Sequence, residues 1–271
     1  MPERGRMMKI GFIGLGNMAS AMIAGMLEKG IAKPEDITGS DKFKEARVRA
    51  GERFGIHITE DNKQVAADSD VLILAVKPQM LPEVTAEIPG SIGENTLIIS
   101  IIAGRTLAQL EEAFGKKQKI VRCMPNTPAM VGAGCSGVCR NEAVSEEEMK
   151  QCLALLSSFG IAEEVPEKLM DAVVGVSGSS PAYVFMFIEA MADGAVKAGM
   201  PRAQAYRFAA QAVMGSAKLM LETGKHPGEL KDMVCSPAGT TIEAVQVLEE
   251  MGFRSAVMDA VEACVEKSRN M

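Results

Sequence analysis

Apolar positions in the first half of the chain fall into short, regularly spaced runs. Ile10, Phe12 and Ile13 suit a buried strand, Ile37 and Thr38 open a second, and residues 56–58 form a third. Residues 71–76, 97–102 and 119–123 are nearly continuous apolar runs of the kind buried on both faces of a parallel sheet. Helical patterns lie between them: residues 19–29 stopped by Gly30, 45–54 stopped by Gly55, 80–87 and 107–114. A further helix is expected over 145–159, where Ser145 and Glu148 have capping-box spacing. This alternation predicts an α/β doubly wound parallel sheet of Rossmann-like type, ending near Pro166 and so occupying residues 1–166.

Beyond Pro166 the pattern is helical only, so residues 167–271 are expected to form an all-α domain for substrate binding and dimerisation. Pro181 sits at a first helical position, and the helix it opens, apolar nearly all round, stops at Gly199. A second runs from near Pro201 to Gly224. A third follows Ser236, with Thr240 expected as its cap and Glu243 as the capping-box partner, and stops at Gly252. The last carries Val257, Ala260, Val261, Cys264 and Val265 at helical spacing. A helix apolar on all sides needs neighbours on all sides, and about a hundred residues supply few. A homo-oligomer, a dimer or an assembly of dimers, is therefore expected.

The candidate chemistry starts where the first strand ends. Gly14, Gly16 and Ala19 fit the spacing G-x-G-x-x-[GA] as a strand turns into a helix, the context a dinucleotide-binding turn requires. Ile13, Gly14, Leu15, Gly16, Asn17 and Met18 are thus candidate cofactor-binding residues, with the pyrophosphate at the helix N-terminus. An acidic residue that holds the adenosine ribose is expected at the end of the second strand. Gly39 and Ser40 stand there, followed by Asp41, Lys42, Phe43 and Lys44. A hydroxyl and two ammonium groups favour NADP(H), with Ser40 and Lys42 as ligands, while Asp41 keeps NAD(H) open as the alternative.

Charge and composition then exclude several classes. The 271 residues carry a formal net charge of -6, which does not suit a nucleic-acid partner. No uninterrupted apolar run approaches the roughly 18 residues a membrane span needs, and residues 1–8 lack a secretory apolar core. The six cysteines are scattered and the two histidines, His57 and His226, complete no metal site, so no metal and a cytoplasmic location with reduced thiols are expected. A small-molecule substrate is the expected partner.

Residues 75–78, 122–128, 177–183, 231–241 and 252–255, together with the glycine turn, resemble those of pyrroline-5-carboxylate reductases, and the likeness runs from Met8 to the C-terminal helix. The family's Pro-x-Gly-Thr-Thr signature stands here as Pro237, Ala238, Gly239, Thr240 and Thr241. The resemblance implies NADPH-dependent reduction of a cyclic imine to L-proline. It also implies that Asn62, Ala75, Val76, Lys77, Pro78 and Ala103 touch the dinucleotide, and that Glu167, Thr240 and Thr241 lie at the substrate site. Departures are Ser180, where glycine is common in the family, and Met233, where some members have a polar residue. The start of the Thr240 helix, with Ser236 and Gly239, offers free N–H groups to a substrate carboxylate, and Thr241 is the candidate catalytic hydroxyl. The opening turn is also close to that of β-hydroxyacid dehydrogenases, but Gly175 and Gly178 are followed by no lysine of the kind those enzymes use as acid. A non-catalytic NADP-sensing protein of the same fold is the other alternative.

Overall fold

The computed structural model describes residues 8–115 and 117–270. The reading of residues 1–7 as lacking a secretory core lies outside them. In chain order come β1 (Ile10–Ile13), α1 (Asn17–Glu28), β2 (Ile37–Ser40), α2 (Lys44–Phe54), β3 (His57–Thr59), α3 (Asn62–Asp68) and β4 (Val71–Leu74). Then follow α4 (Leu81–Glu87), β5 (Leu97–Ser100), α5 (Leu107–Phe114), β6 (Lys119–Met124), β7 (Gly134–Arg140), α6 (Glu146–Leu156), β8 (Gly160–Glu164) and α7 (Met170–Val173). The helical half comprises α8 (Ser180–Lys197), α9 (Arg202–Thr223), α10 (Pro227–Val234), α11 (Thr240–Glu250) and α12 (Phe253–Arg269).

The eight strands form one sheet in the order β3-β2-β1-β4-β5-β6-β7-β8. Alternation along β4 shows why the runs were continuous. Leu72 and Leu74 join one core with Val65, Val84 and Leu110, whereas Ile73 joins the other with Phe12, Met22 and Phe159. Both faces are covered, so neither face offers a polar position.

The sheet departs from the all-parallel expectation at its far end. β7 runs antiparallel to β6, with Val121 opposite Arg140, and β8 then runs parallel to β7. The sequence Gly-Cys-Ser-Gly-Val-Cys-Arg of β7 has few β-branched residues and no alternation, which is why its pattern signalled no strand. Short α3 and α10 were also missed, being helices of 7 and 8 residues with little periodicity to read. The capping box at Ser145 and Glu148 is present, each side chain bonding the other's backbone N–H.

Two compact units emerge, and the break falls later than residue 166: residues up to 178 and from 265 onward form the first, Ser179–Cys264 the second. Burial explains the shift, since Met170 of α7 is fully packed in the sheet core beside Ile120 and Cys139. In the second unit the buried apolar cluster is confined to Ala192, Ala205 and Ala209. Val184, Phe185, Met186 and Phe187 of α8 stay exposed, with Phe185 at 64% and Met186 at 69%. By length and composition the helical stretch Glu167–Lys197 could cross a membrane, which the count of uninterrupted apolar runs did not reveal.

Candidate active site

The order of the strands reverses between β1 and β4, which lie side by side with Ile13 opposite Leu74. In such sheets the ligand crevice opens at the carboxyl ends of the strands on either side of the reversal. Here that edge carries the turn after Ile13, residues 75–78 after β4, and Ala103 beyond β5. The edge is tightly laced: Ala75 donates its N–H to the Ile13 carbonyl at 2.8 Å, and Gly14 donates to the Ser40 carbonyl at 2.8 Å. Gly14 adopts φ +99°, and a Cβ there would stand 2.6 Å from the Ala75 carbonyl oxygen. Gly16 caps α1 with extended backbone and no side-chain bond, and no protein atom lies within 4 Å of where its Cβ would be. The first helical hydrogen bond is made by Ser20 to the Gly16 carbonyl, so the amides of Asn17, Met18 and Ala19 have no partner within α1. That combination of an open approach, uncommitted amides and a helix dipole suits a pyrophosphate. Leu15, in the same turn, has a fully buried side chain and donates its N–H to Asp41.

At the end of β2, Ser40 is fully buried, and its hydroxyl donates to the side-chain oxygen of Asn62 at 2.7 Å. Asn62 in turn donates to Glu87 at 2.8 Å. The carboxylate of Asp41 accepts the N–H of Leu15 at 2.8 Å with one oxygen and that of Phe43 at 2.9 Å with the other. Arg47, nearly buried, donates to the carbonyls of Asp41 and Lys42 and pairs with Glu60. Lys42 remains exposed, in a loose ion pair with Glu83 at 3.3 Å that contributes little, and Lys44 is exposed as well. Lys77 precedes a short turn that Pro78 opens, its carbonyl accepting the Met80 N–H.

Glu167 is committed within the first unit. Its carboxylate accepts the N–H of Leu107 at 2.7 Å, at the start of α5, and the guanidinium of buried Arg122 at 3.1 Å. Burial and then the nearby Glu167 charge push the Cys139 thiol up to about 12. Asn126 accepts the Cys135 N–H and donates to the Ser177 carbonyl, tying the loop after β6 to the residues before α8. Arg122 and Asn126 lie in the stretch 122–128 that carried the resemblance, but nothing in the sequence assigned them partners.

In the second unit, Ser236 and Gly239 close a turn through a 3.0 Å backbone bond. Ala238 sits in it at φ +54°, an unusual conformation for a residue with a side chain. α11 starts at Thr240 and its cap is Gly239, with no side-chain cap bond. Thr240 is therefore not the cap expected, because it already has helical geometry, and the Thr240–Glu243 capping box does not form. Neither threonine hydroxyl has a partner among the described residues, and the first amides of an 11-residue helix are left open. Next to the start of α8, the Cys264 thiol donates to the Ser179 hydroxyl at 3.1 Å.

A dinucleotide edge of this kind, on a chain whose second unit has a helix start with no side-chain cap bond and two hydroxyls unpartnered among the described residues, fits a nicotinamide-dependent oxidoreductase. Residues 9–104 match the family model for NADP oxidoreductase, coenzyme F420-dependent, and residues 167–271 match that for pyrroline-5-carboxylate reductase dimerisation. The chain is 53% identical over 263 residues to the pyrroline-5-carboxylate reductase of Escherichia coli K12, covering 97% of this chain and 98% of that one. Among solved structures, the Coxiella burnetii enzyme superposes with a TM-score of 0.92 at 34% identity, covering 98% of both chains. The Plasmodium falciparum pyrroline carboxylate reductase, solved with NADP bound, gives 0.87 at 35% identity and 97% of both. The chain belongs to the pyrroline-5-carboxylate reductase family, and it is an NADP-dependent oxidoreductase.

Proposed function

We infer that the protein reduces L-1-pyrroline-5-carboxylate to L-proline with NADPH, NADH being the alternative donor. The observation that carries this is the start of α11, which has no side-chain cap bond, within the family's Pro-x-Gly-Thr-Thr signature. The nicotinamide, when bound, would supply the hydride for the imine carbon. The chain's own residues do the rest by placement.

The amides of Asn17 and Met18, with the open side of Gly16, would hold the pyrophosphate. Ala75, Val76, Lys77, Pro78 and Ala103 line the edge beside it, and Asn62 is steadied there by Ser40. Lys42 and Lys44 would meet the 2′-phosphate. The substrate carboxylate would take the open amides of α11, with Ser236, Gly239 and Thr240 shaping that seat. A protonated cyclic imine accepts hydride without a strong acid, so positioning and one hydrogen-bond donor suffice. Thr241 fills that role: its hydroxyl bonds the ring nitrogen as the lone pair appears. The amine formed takes its second proton from solvent. Glu167 would act at the site through Arg122 and the start of α5.

We place the functional boundary at residues 166 and 167, supported by a dimerisation match that begins at residue 167. The exposed apolar side chains of α8 fit a second copy of the chain better than lipid, because Glu189, Asp193 and Lys197 share that helix. A cytoplasmic location, no metal and no nucleic-acid partner complete the reading.

The test follows NADPH absorbance with pyrroline-5-carboxylate beside a short panel of hydroxyacids and other cyclic imines. Oxidation with the first substrate is expected. No oxidation of either NADPH or NADH with it would overturn the assignment.

A further inference from the structure

Two segments that the cofactor reading assigns to different parts of one molecule are bonded to each other in this chain. The glycine turn would seat the pyrophosphate, and the loop Asp41 to Lys44 would face the adenosine 2′-phosphate. Asp41 joins them. One carboxylate oxygen accepts the Leu15 N–H from inside the turn, at 2.8 Å, and the other accepts the Phe43 N–H from inside the loop, at 2.9 Å. The neighbouring backbone bond from Gly14 to the Ser40 carbonyl, also 2.8 Å, closes the same junction one residue earlier. From behind, nearly buried Arg47 grips the carbonyls of Asp41 and Lys42 at 2.6 and 3.3 Å and is itself held by Glu60.

We propose that Asp41 is a positioning residue of the cofactor site, a clamp that holds the pyrophosphate turn and the 2′-phosphate loop in one fixed geometry, rather than a reader of the ribose. This rests on the cofactor reading given above. Both Asp41 oxygens accept backbone amides, one from the turn and one from the loop, so the chain itself fixes the carboxylate's orientation. The Leu15 amide would otherwise be unpaired in a part-buried junction, which costs more than losing the exposed Phe43 bond. A clamp and a reader also differ in what they do to the two cofactors. Loss of a ribose reader harms NADH, which has a free 2′-hydroxyl, and spares NADPH. Loss of a clamp loosens the pyrophosphate seat that both cofactors share, so both suffer alike.

The experiment measures dissociation constants of NADPH and NADH by fluorescence for the wild type, Asp41→Ala and Asp41→Asn, with kcat and KM alongside. For Asp41→Ala we expect both cofactors to weaken by about 5–50-fold, the range for losing hydrogen bonds to a charged group, and to do so within threefold of each other. The loss should fall on KM more than on kcat. Asp41→Asn keeps one acceptor oxygen, so its loss should be smaller yet still parallel, and it carries the test alone if the alanine variant does not fold. An unequal loss beyond threefold, or none for either cofactor, overturns the clamp. Wild-type protein that binds neither cofactor would overturn the cofactor reading, and the clamp with it.

Discussion

Gly14 and Gly16 belong to one motif, but the structure assigns them opposite duties, and two alanine substitutions separate these. At Gly14 the backbone has φ +99°, and an added Cβ would meet the Ala75 carbonyl oxygen at 2.6 Å and its carbon at 2.7 Å. The left-handed region costs a residue with a side chain about 1–2 kcal/mol. Pushing the strand exit aside adds about 1–3 kcal/mol. Together these give about 2–5 kcal/mol, or a fall in melting temperature of about 4–20 °C for a chain of this size. At Gly16 the backbone is φ -74° and ψ -170°, ordinary extended geometry, and the Cβ meets no protein atom. Alanine is a poorer helix cap than glycine by up to about 1 kcal/mol, and it gains about 0.4–1 kcal/mol by restricting the unfolded chain. Those effects nearly cancel. The methyl group does, however, occupy the approach of the pyrophosphate, where overpacking of about 1–3 kcal/mol raises the NADPH dissociation constant about 5–150-fold. Thermal melts without cofactor, paired with fluorescence titration of NADPH, read both quantities. Gly14→Ala should lose melting temperature and Gly16→Ala should lose affinity alone. A Gly16→Ala variant that binds NADPH like the wild type, or a Gly14→Ala variant that melts like it, would refute the reasoning.

Other outcomes follow from the same geometry. Thr241→Ala should lower turnover by roughly 10–100-fold, as for one transition-state hydrogen bond, with Thr241→Ser keeping much of the rate; wild-type turnover in the alanine variant would remove the hydroxyl from the mechanism. Thr240→Ala should leave the melting temperature nearly unchanged, because Gly239 and not Thr240 caps α11; a loss of several degrees would show that a cap bond forms after all. Replacing Lys42 and Lys44 with alanine should weaken NADPH by about 1–2 kcal/mol more than NADH, and equal losses would show that neither reads the 2′-phosphate. Burial, aided by the Glu167 charge at Cys139 and the Glu164 charge at Cys152, holds both thiols at about 12 against an ordinary 9.0. The folded state thus keeps protons that the unfolded chain releases, so stability from these thiols is whole below pH 9 and is lost as pH rises toward 12. Urea midpoints at pH 8, 9.5 and 10.5 measure this, and a slope unchanged by Cys139→Ala with Cys152→Ala would discount it. If α8 carries the proposed interface, Phe185→Glu with Met186→Glu should give a monomer by sedimentation where the wild type gives a dimer or larger, since both side chains lie bare on α8; an unchanged mass would place the interface elsewhere.

Local chemistry was legible without a structure. The runs at β1, β4, β5 and β6 follow from burial on both faces, the turn at Gly14 from spacing, and the Ser145 cap from two residues three apart, because each depends on neighbours within a few positions. What the tertiary structure alone decided depends on partners far apart in sequence. Glu167 is anchored through one carboxylate oxygen to Leu107 and Arg122, 60 and 45 residues away. Ser40 is turned inward by Asn62, 22 residues on. β7, held between β6 and β8, lies antiparallel to β6, a pairing that its own small side chains do not signal. Even at Thr240, where the spacing to Glu243 points to a cap, the turn from Ser236 brings Gly239 to the helix mouth first. Asp41 shows the division most plainly. The sequence places a carboxylate just past the end of β2, and while its bond to the Phe43 N–H is local, only the fold brings up Leu15, 26 residues earlier, to hold the other oxygen. A charged group's identity is written in the chain, but its hydrogen-bond partners are settled by which amides the fold leaves unpaired beside it.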